Sequence, residues 1–274
     1  MAGVESFLSL LIDNWIILAL GLISLALFRR PFNDLRHRYF AWFLCTMTKT
    51  KSERYNVIKK ELFSTLHNIE SKDPQIRKEN AIKILEIGVG TGLNFEFYPN
   101  GTRLVVVDPN PHFDKYYNEN RAKFPNIHSE EIIVCYGEDM DVIESNSIDA
   151  VVMTLVLCSV MDTEKVLAQI KRVLVPGGKF YFLEHVREFD SQKYRLRQLV
   201  QDLLTELRIW PTLLDGCCLN RETLEVVKNA GFSSVEGENF YAPIAGAHTR
   251  GVGAFIKYWM FKCVRPHAKG VATK

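Results

Sequence analysis

Residues 84–94, "ILEIGVGTGLN", place three glycines within five positions directly behind a short apolar run. A buried strand that stops in a glycine turn belongs at the carboxyl edge of an α/β sheet, where such turns hold nucleotides. The spacing then discriminates among ligands. A dinucleotide fingerprint, G-x-G-x-x-G, would need glycines at 88, 90 and 93, but position 93 is Leu93. A phosphate loop would need a Lys-Ser/Thr pair after its last glycine, and none follows. What stands here is Glu86, Gly88, Gly90 and Gly92, an E-x-G-x-G-x-G turn.

Asp108 comes twenty residues after Gly88, at the tip of the next apolar run. A carboxylate in that place accepts hydrogen bonds from both hydroxyls of a ribose. A tight turn with a ribose acid but no phosphate cradle suits S-adenosylmethionine, whose cationic sulfonium also favours an acid at Glu86.

The rest of the chain agrees with such a sheet. "AIKILEI" (81–87), "TRLVVVD" (102–108), "EEIIVCY" (130–136), "SIDAVVMTLV" (147–156) and "GKFYFLE" (178–184) read as strands. "NPHFDKYYNENRAKF" and "DTEKVLAQIKRVLVPGG" between them read as helices, the second stopped by Pro-Gly-Gly. "NRETLEVVKNAGF" is a further helix, with Asn220 as its cap and Gly231 as its end, and "SSVEGENFY" and "GVGAFIKYWMF" are two last strands. Strands alternating with helical crossovers predict a doubly wound α/β domain, with ligands at the carboxyl ends of the strands.

Ahead of it lies "FLSLLIDNWIILALGLISLALF", Phe7 to Phe28, 22 residues with Asp13 as the one formal charge. At about 1.5 Å per residue a helix of this length crosses a hydrocarbon core of roughly 30 Å. Residues 29–60 then carry nine Lys/Arg against Asp34 and Glu53. Under the positive-inside rule that collar keeps the C-terminal body in the cytosol. Asp13 and Asn14 leave open a segment only half inserted in the bilayer, and "SLA" at 24–26 leaves open a cleaved leader, although no basic region precedes it. Leu35, Tyr39, Trp42 and Phe43 form an aromatic stripe beside Arg36 and Arg38, suited to a membrane interface or to packing on the body. The expected organisation is an anchor over 1–30, amphipathic helices and linker over 31–80, the catalytic domain over 81–264 and a basic tail over 265–274.

Six cysteines, Cys45, Cys135, Cys158, Cys217, Cys218 and Cys263, show neither a disulfide framework nor zinc-ligand spacing, so no metal is expected. A net charge of +2 gives no reason to expect nucleic acid as a partner.

Five motifs in order, "LEIGVGTG", "VVVDPNP", "YGEDM", "IDAVVMTLVLCSV" and "IKRVLVPGGKFYFLEHV", resemble the class I S-adenosylmethionine-dependent methyltransferases over about residues 82–186. More narrowly, "DPNPHF", "GEDM", "TLVLCSV", "EHV" and "DGCCL-RET" resemble the membrane-anchored thiol S-methyltransferases, the methyltransferase-like 7 subgroup. The resemblance implies a seven-stranded Rossmann-like sheet behind an N-terminal membrane helix. It also implies a home at the endoplasmic reticulum and lipid droplets, and methyl transfer to small alkyl thiols and hydrogen sulfide. Carried over residue by residue, Gly88, Gly90 and Gly92 would wrap the cofactor, and Glu86 would orient the loop or face the methionine amine. Asp108 would hold the ribose, Pro109 and Asn110 would flank the adenine, Glu138 and Asp139 would meet its amino group, and Leu155 the methionine end.

The nucleophile must arrive as a thiolate, so a base is needed. His185, just past the fifth strand, is the candidate, and a structural role fits it equally. Leu196, Leu199, Leu203 and Leu207 lie in the segment 187–219, where they would close an acceptor pocket or cover the sheet. Two other functions fit the same motifs: methylation of a lipid-phase oxygen or ring carbon, and a membrane scaffold carrying a relic cofactor domain.

Overall fold

The computed structural model describes residues 15–48, 53–129, 132–243 and 252–274. Its centre is a seven-stranded sheet in the order β3-β2-β1-β4-β5-β7-β6. The strands are β1 (Lys83–Ile87), β2 (Arg103–Val107), β3 (His128–Ser129), β4 (Ile148–Thr154), β5 (Leu174–His185), β6 (Ser234–Tyr241) and β7 (Pro266–Thr273). The first five pair in parallel, and β7 inserts antiparallel between β5 and β6. Strand order therefore reverses between β1 and β4, which opens a crevice at their carboxyl ends.

Burial on both faces is what the unbroken apolar runs dictate. Leu85, Ile87, Met153, Phe180 and Phe182 enter one core layer, with Val166 and Ile170 of the helix Thr163–Val173. Their neighbours Ile84, Val152, Tyr181 and Leu183 enter the other, with Phe63 and Leu66 from the N-terminal side. The alternation of strand side chains thus ties the sheet to both of its covers.

We number the helices α1 (Trp15–Thr48), α2 (Glu53–Phe63), α3 (Pro74–Lys78), α4 (Asp114–Arg121), α5 (Thr163–Val173), α6 (Arg195–Glu206), α7 (Ile209–Leu213), α8 (Thr223–Asn229) and α9 (Val252–Cys263). The expected apolar span begins in residues that lie outside the described ones. Among the described residues no helix is long and apolar enough to cross a membrane.

Several expectations give way. Of "GVGAFIKYWMF", residues 252–261 are helical and belong to α9, although their aromatic and β-branched residues favour strands. Met260, Cys263 and Val264 pack at helical spacing against a cluster around Trp210, and this tertiary contact outweighs the local preference. The last strand is formed instead by residues read as a basic tail. In β7, Ala268 and Ala272 are buried beside β5, and Lys269 escapes by pairing with Glu61 and Glu238 at the sheet surface. Of "EEIIVCY", the described residues 132–136 contribute one bridge, Ile133 to Val107, rather than a full strand. It runs along the sheet's edge with Val134 and Tyr136 exposed. Asn220 is not a helix cap: α8 starts after Glu222, without a side-chain cap. Among the described residues, Leu196, Leu199 and Leu203 of α6 and Leu207 just past it neither close a pocket nor cover the sheet, since Leu196 is 73% exposed and the other three are exposed with it, whereas Leu204 packs toward Trp210.

Candidate active site

The glycine turn sits at the β1–β4 crevice and is held from three sides. Gly88 donates its N–H to Val107 O at 2.8 Å, and Gly92 donates to Val89 O at 2.9 Å. All three glycines have positive φ, which an L side chain adopts only with strain. Gly88 also has no room, because a Cβ there would lie 2.3 Å from Val156 Cγ2.

Asp108 locks the turn to the next loop. Its Oδ2 accepts the Gly90 N–H at 2.9 Å and its Oδ1 accepts the Asn110 N–H at 2.9 Å. Burial pushes its pKa up to about 7 against the pull of those two N–H groups, with Asp215 adding a repulsion. Each carboxylate oxygen keeps a further lone pair for a ligand hydroxyl.

Glu86 lies directly beneath. Its Oε1 accepts Asn94 Nδ2 at 2.7 Å and its Oε2 accepts the Tyr98 hydroxyl at 2.6 Å. Asn94 reaches on to Thr154 Oγ1 at 3.0 Å, and its own oxygen accepts Lys59 Nζ at 2.8 Å. Burial lifts Glu86 to about 7, while Tyr98, Asn94 and Lys59 favour its charge. With both oxygens engaged from within, this geometry fits the loop-orienting role of the two expected. No local pattern in the sequence marks Asn94, Thr154 or Lys59 as site residues. Asn94 stands two residues past Gly92, but its reach to β4 and α2 requires the fold.

The roof also lies outside the sequence reading. Helix α1 turns its aromatic stripe outward, with Leu35 and Trp42 exposed, and lays its other face over the turn. Leu44 Cδ2 comes within 3.4 Å of the place a Gly90 Cβ would take, and Phe40 meets Phe113 edge-on. Asn110 Nδ2 donates to His37 O at 3.0 Å, and Arg36 and His37 both approach Asp215. Beneath the roof, Thr91 Oγ1 is buried without a partner among the described residues. An orphaned hydroxyl in the middle of a glycine turn is what a polar ligand would satisfy. The residues present therefore fit the adenosyl-type ligand expected of them.

Leu155, at the end of β4, holds a left-handed backbone (φ +61°) and donates its N–H to Leu183 O. Strain of this kind in a non-glycine residue concentrates at functional sites. Pro109 lies between Asp108 and Asn110, half-buried. Glu138 is buried and accepts the Met161 and Asp162 N–H groups, whereas Asp139 faces solvent and pairs with Lys165.

His185 belongs to a second group. Its Nδ1 lies 3.7 Å from Cys217 Sγ, and Cys158 completes a set whose ligand atoms all lie within 4.8 Å of one another. Cys158 and His185 hold Cys217 well below the ordinary thiol range, against the cost of burial. The two groups are linked by Glu184, which accepts the Val156 and Cys158 N–H groups, while the Val156 side chain abuts Gly88. Scattered spacing hid this cluster, because its members sit on three separate segments.

Comparison with known proteins agrees with this geometry. A family model described as "Methyltransferase domain" matches residues 85–182. Thiol S-methyltransferase TMT1A of Homo sapiens is 35% identical over 238 residues, covering 86% of this chain and 86% of that protein. Thiol S-methyltransferase TMT1B of Rattus norvegicus is 39% identical over 200 residues, covering 73% and 78%. Among solved structures, a SAM-dependent methyltransferase of Thermotoga maritima, described as a possible histamine N-methyltransferase, superposes with a TM-score of 0.51. It is 16% identical and covers 87% of this chain and 99% of its own, a likeness of fold.

Proposed function

The chain belongs to the thiol S-methyltransferase family, and on that premise we propose that it methylates the sulfur of small apolar thiols, hydrogen sulfide among them, at a membrane surface. Methyl transfer from S-adenosylmethionine comes with the family; the acceptor and the location are the proposal. The observation that carries it is the pairing of a glycine turn locked by Asp108 with a sulfur-rich cluster tied to it through Glu184 and Val156.

The cofactor, when bound, supplies an electrophilic methyl group on a sulfonium. Gly88, Gly90 and Gly92 would hold it by backbone, Asp108 by its ribose hydroxyls, Pro109 and Asn110 along its base, and Leu155 near its methionine end. Glu86 and Asn94 keep the turn in shape. The acceptor side is apolar: Trp210, Leu219 and Leu214 pack around Cys158 and Cys217. Arg221 is committed to the carbonyls of Leu157 and Val160, so it offers an acidic substrate nothing.

The membrane part of the proposal draws support from surface chemistry. Phe32, Leu35, Tyr39 and Trp42 on α1 and the leucines of α6 are exposed apolar faces, and the Asp215 contacts bring α1 against the segment after α7. Apolar surface of this extent suits a lipid boundary. We place the protein on the cytosolic face of the endoplasmic reticulum and lipid droplets, as a reading of that chemistry and of the basic collar.

Three results are expected. Propanethiol should exceed glutathione in kcat/KM by roughly tenfold or more, since burying unpaired charges costs about 1–3 kcal/mol or above. Equal turnover of glutathione would overturn the apolar assignment. Affinity for S-adenosylhomocysteine should rise between pH 6 and pH 8, because Asp108 ionises near 7 and only the carboxylate accepts charge-assisted bonds at both oxygens. Glu86 and Asp108 also hold protons in the folded chain that the unfolded chain releases from about pH 4 upward. Stability of the unliganded protein should thus decline as pH rises toward 7 and level off above it. Calorimetric titration and thermal melts across this range read both trends.

A further inference from the structure

We propose that Cys158, His185 and Cys217 form a three-ligand site for a zinc-class ion, with the fourth position open to the acceptor sulfur. The second half rests on the thiol reading above. The first half stands on geometry alone.

The three ligand atoms lie within 4.8 Å of one another, so side-chain shifts of about 1 Å would bring all three onto one ion. Tetrahedral zinc, with bonds of about 2.3 Å to sulfur and about 2.0–2.1 Å to nitrogen, places those two atoms about 3.6 Å apart. Cys217 Sγ and His185 Nδ1 stand 3.7 Å apart. The donor set is soft, two sulfurs and an imidazole, which suits zinc over calcium or magnesium. Three protein ligands with one position left over is the arrangement of catalytic zinc sites rather than structural ones.

The scaffold around the cluster is rigid. Cys218 donates its N–H to Cys158 O at 2.7 Å, clamping the segment after α7 onto the loop after β4. Arg221 grips the same loop through Leu157 O and Val160 O, and Glu184 ties it to β5. Cys158 and Cys217 are buried and His185 is half-buried, so the cluster opens on the histidine side.

The chemistry closes without further reactants. A thiol acceptor would replace the water on the ion, releasing its proton to solvent as the zinc–sulfur bond forms. Cys158 and Cys217 give up their thiol protons to solvent as the ion binds, so two thiolates neutralise it and the incoming sulfur keeps its nucleophilicity. A lone pair of that sulfur then bonds the methyl carbon. The bond from that carbon to the donor sulfonium breaks, and its electron pair stays with S-adenosylhomocysteine. The neutral thioether is a weak ligand and gives way to water.

Cobalt(II) titration of the full chain in detergent, without thiol reductants, tests this. The expected result is one cobalt per chain, with the visible bands of tetrahedral cobalt and sulfur-to-cobalt charge transfer. Propanethiol should strengthen the charge transfer by the share of a third thiolate, and propanol should not. Cys217→Ser should lose the bands and Cys218→Ser should keep them, the latter serving as the control for folding. No tetrahedral bands on the full chain, or bands retained by Cys217→Ser, would overturn the site. Bands indifferent to propanethiol would overturn the acceptor role. If methyl transfer to thiols is observed without cobalt binding, the metal site alone falls. If cobalt and thiol bind but thiols are not methylated, the metal site stands and the proposed function falls.

Discussion

Asp108→Ala is expected to weaken binding of S-adenosylhomocysteine by about 10- to 150-fold, measured by calorimetric titration. The figure follows from the loss of charge-assisted hydrogen bonds worth about 1.5–3 kcal/mol. The substitution also strands the Gly90 and Asn110 N–H groups, which the carboxylate now satisfies in the interior. A drop in melting temperature should therefore accompany the loss of affinity. Asp108→Asn keeps the shape but offers one oxygen in place of two, so it satisfies one of those N–H groups and turns its own NH2 on the other, and it is expected to weaken binding as well. If either variant binds like the parent, the ribose assignment is wrong.

Gly88→Ala should be as damaging by a different route. The new Cβ would lie 2.3 Å from Val156 Cγ2 and 2.9 Å from Cγ1, so the valine cannot escape by rotating. Nor can it shift freely, because its N–H is held by Glu184. The turn must move instead, and cofactor binding is expected to fall by roughly 100-fold, with about 1–3 kcal/mol of stability lost to strain. Gly88→Ala combined with Val156→Ala should recover part of the stability, because the clash is relieved while the positive φ remains. Gly90→Ala, whose Cβ meets nothing nearer than 3.4 Å, controls for the backbone cost alone.

The parts of this molecule that could be read from its sequence are those where local pattern and tertiary demand coincide. The runs around Ile84, Val105 and Val151 are apolar because they are buried on both faces, and the glycine turn is spelled out by steric need. The Glu86–Asn94–Lys59 chain could not be read, since it joins a strand, a turn and a helix that only folding brings together. The same holds for Leu44 and Phe40 above the turn. At the C-terminus, aromatic residues favoured a strand over 251–261, while the small residues of β7 gave no strand signal at all. Ala268, Gly270 and Ala272 are small because the strand is squeezed between two others. A Cβ on Gly270 would lie 2.5 Å from Glu236 O. The leucines of α6 misled for the opposite reason. Their periodicity marks an apolar face, but not which surface that face meets.

A matched pair of acceptors shows whether sulfur is the atom methylated. Full-length protein in detergent would be given methyl-labelled S-adenosylmethionine with propanethiol or with propanol, and the volatile product counted. A hydroxyl of the same shape stays protonated near neutral pH and is the poorer nucleophile. Label is therefore expected in methyl propyl sulfide, rising with pH toward the thiol's own pKa, and not in methyl propyl ether. Equal or greater label in the ether would contradict sulfur as the acceptor.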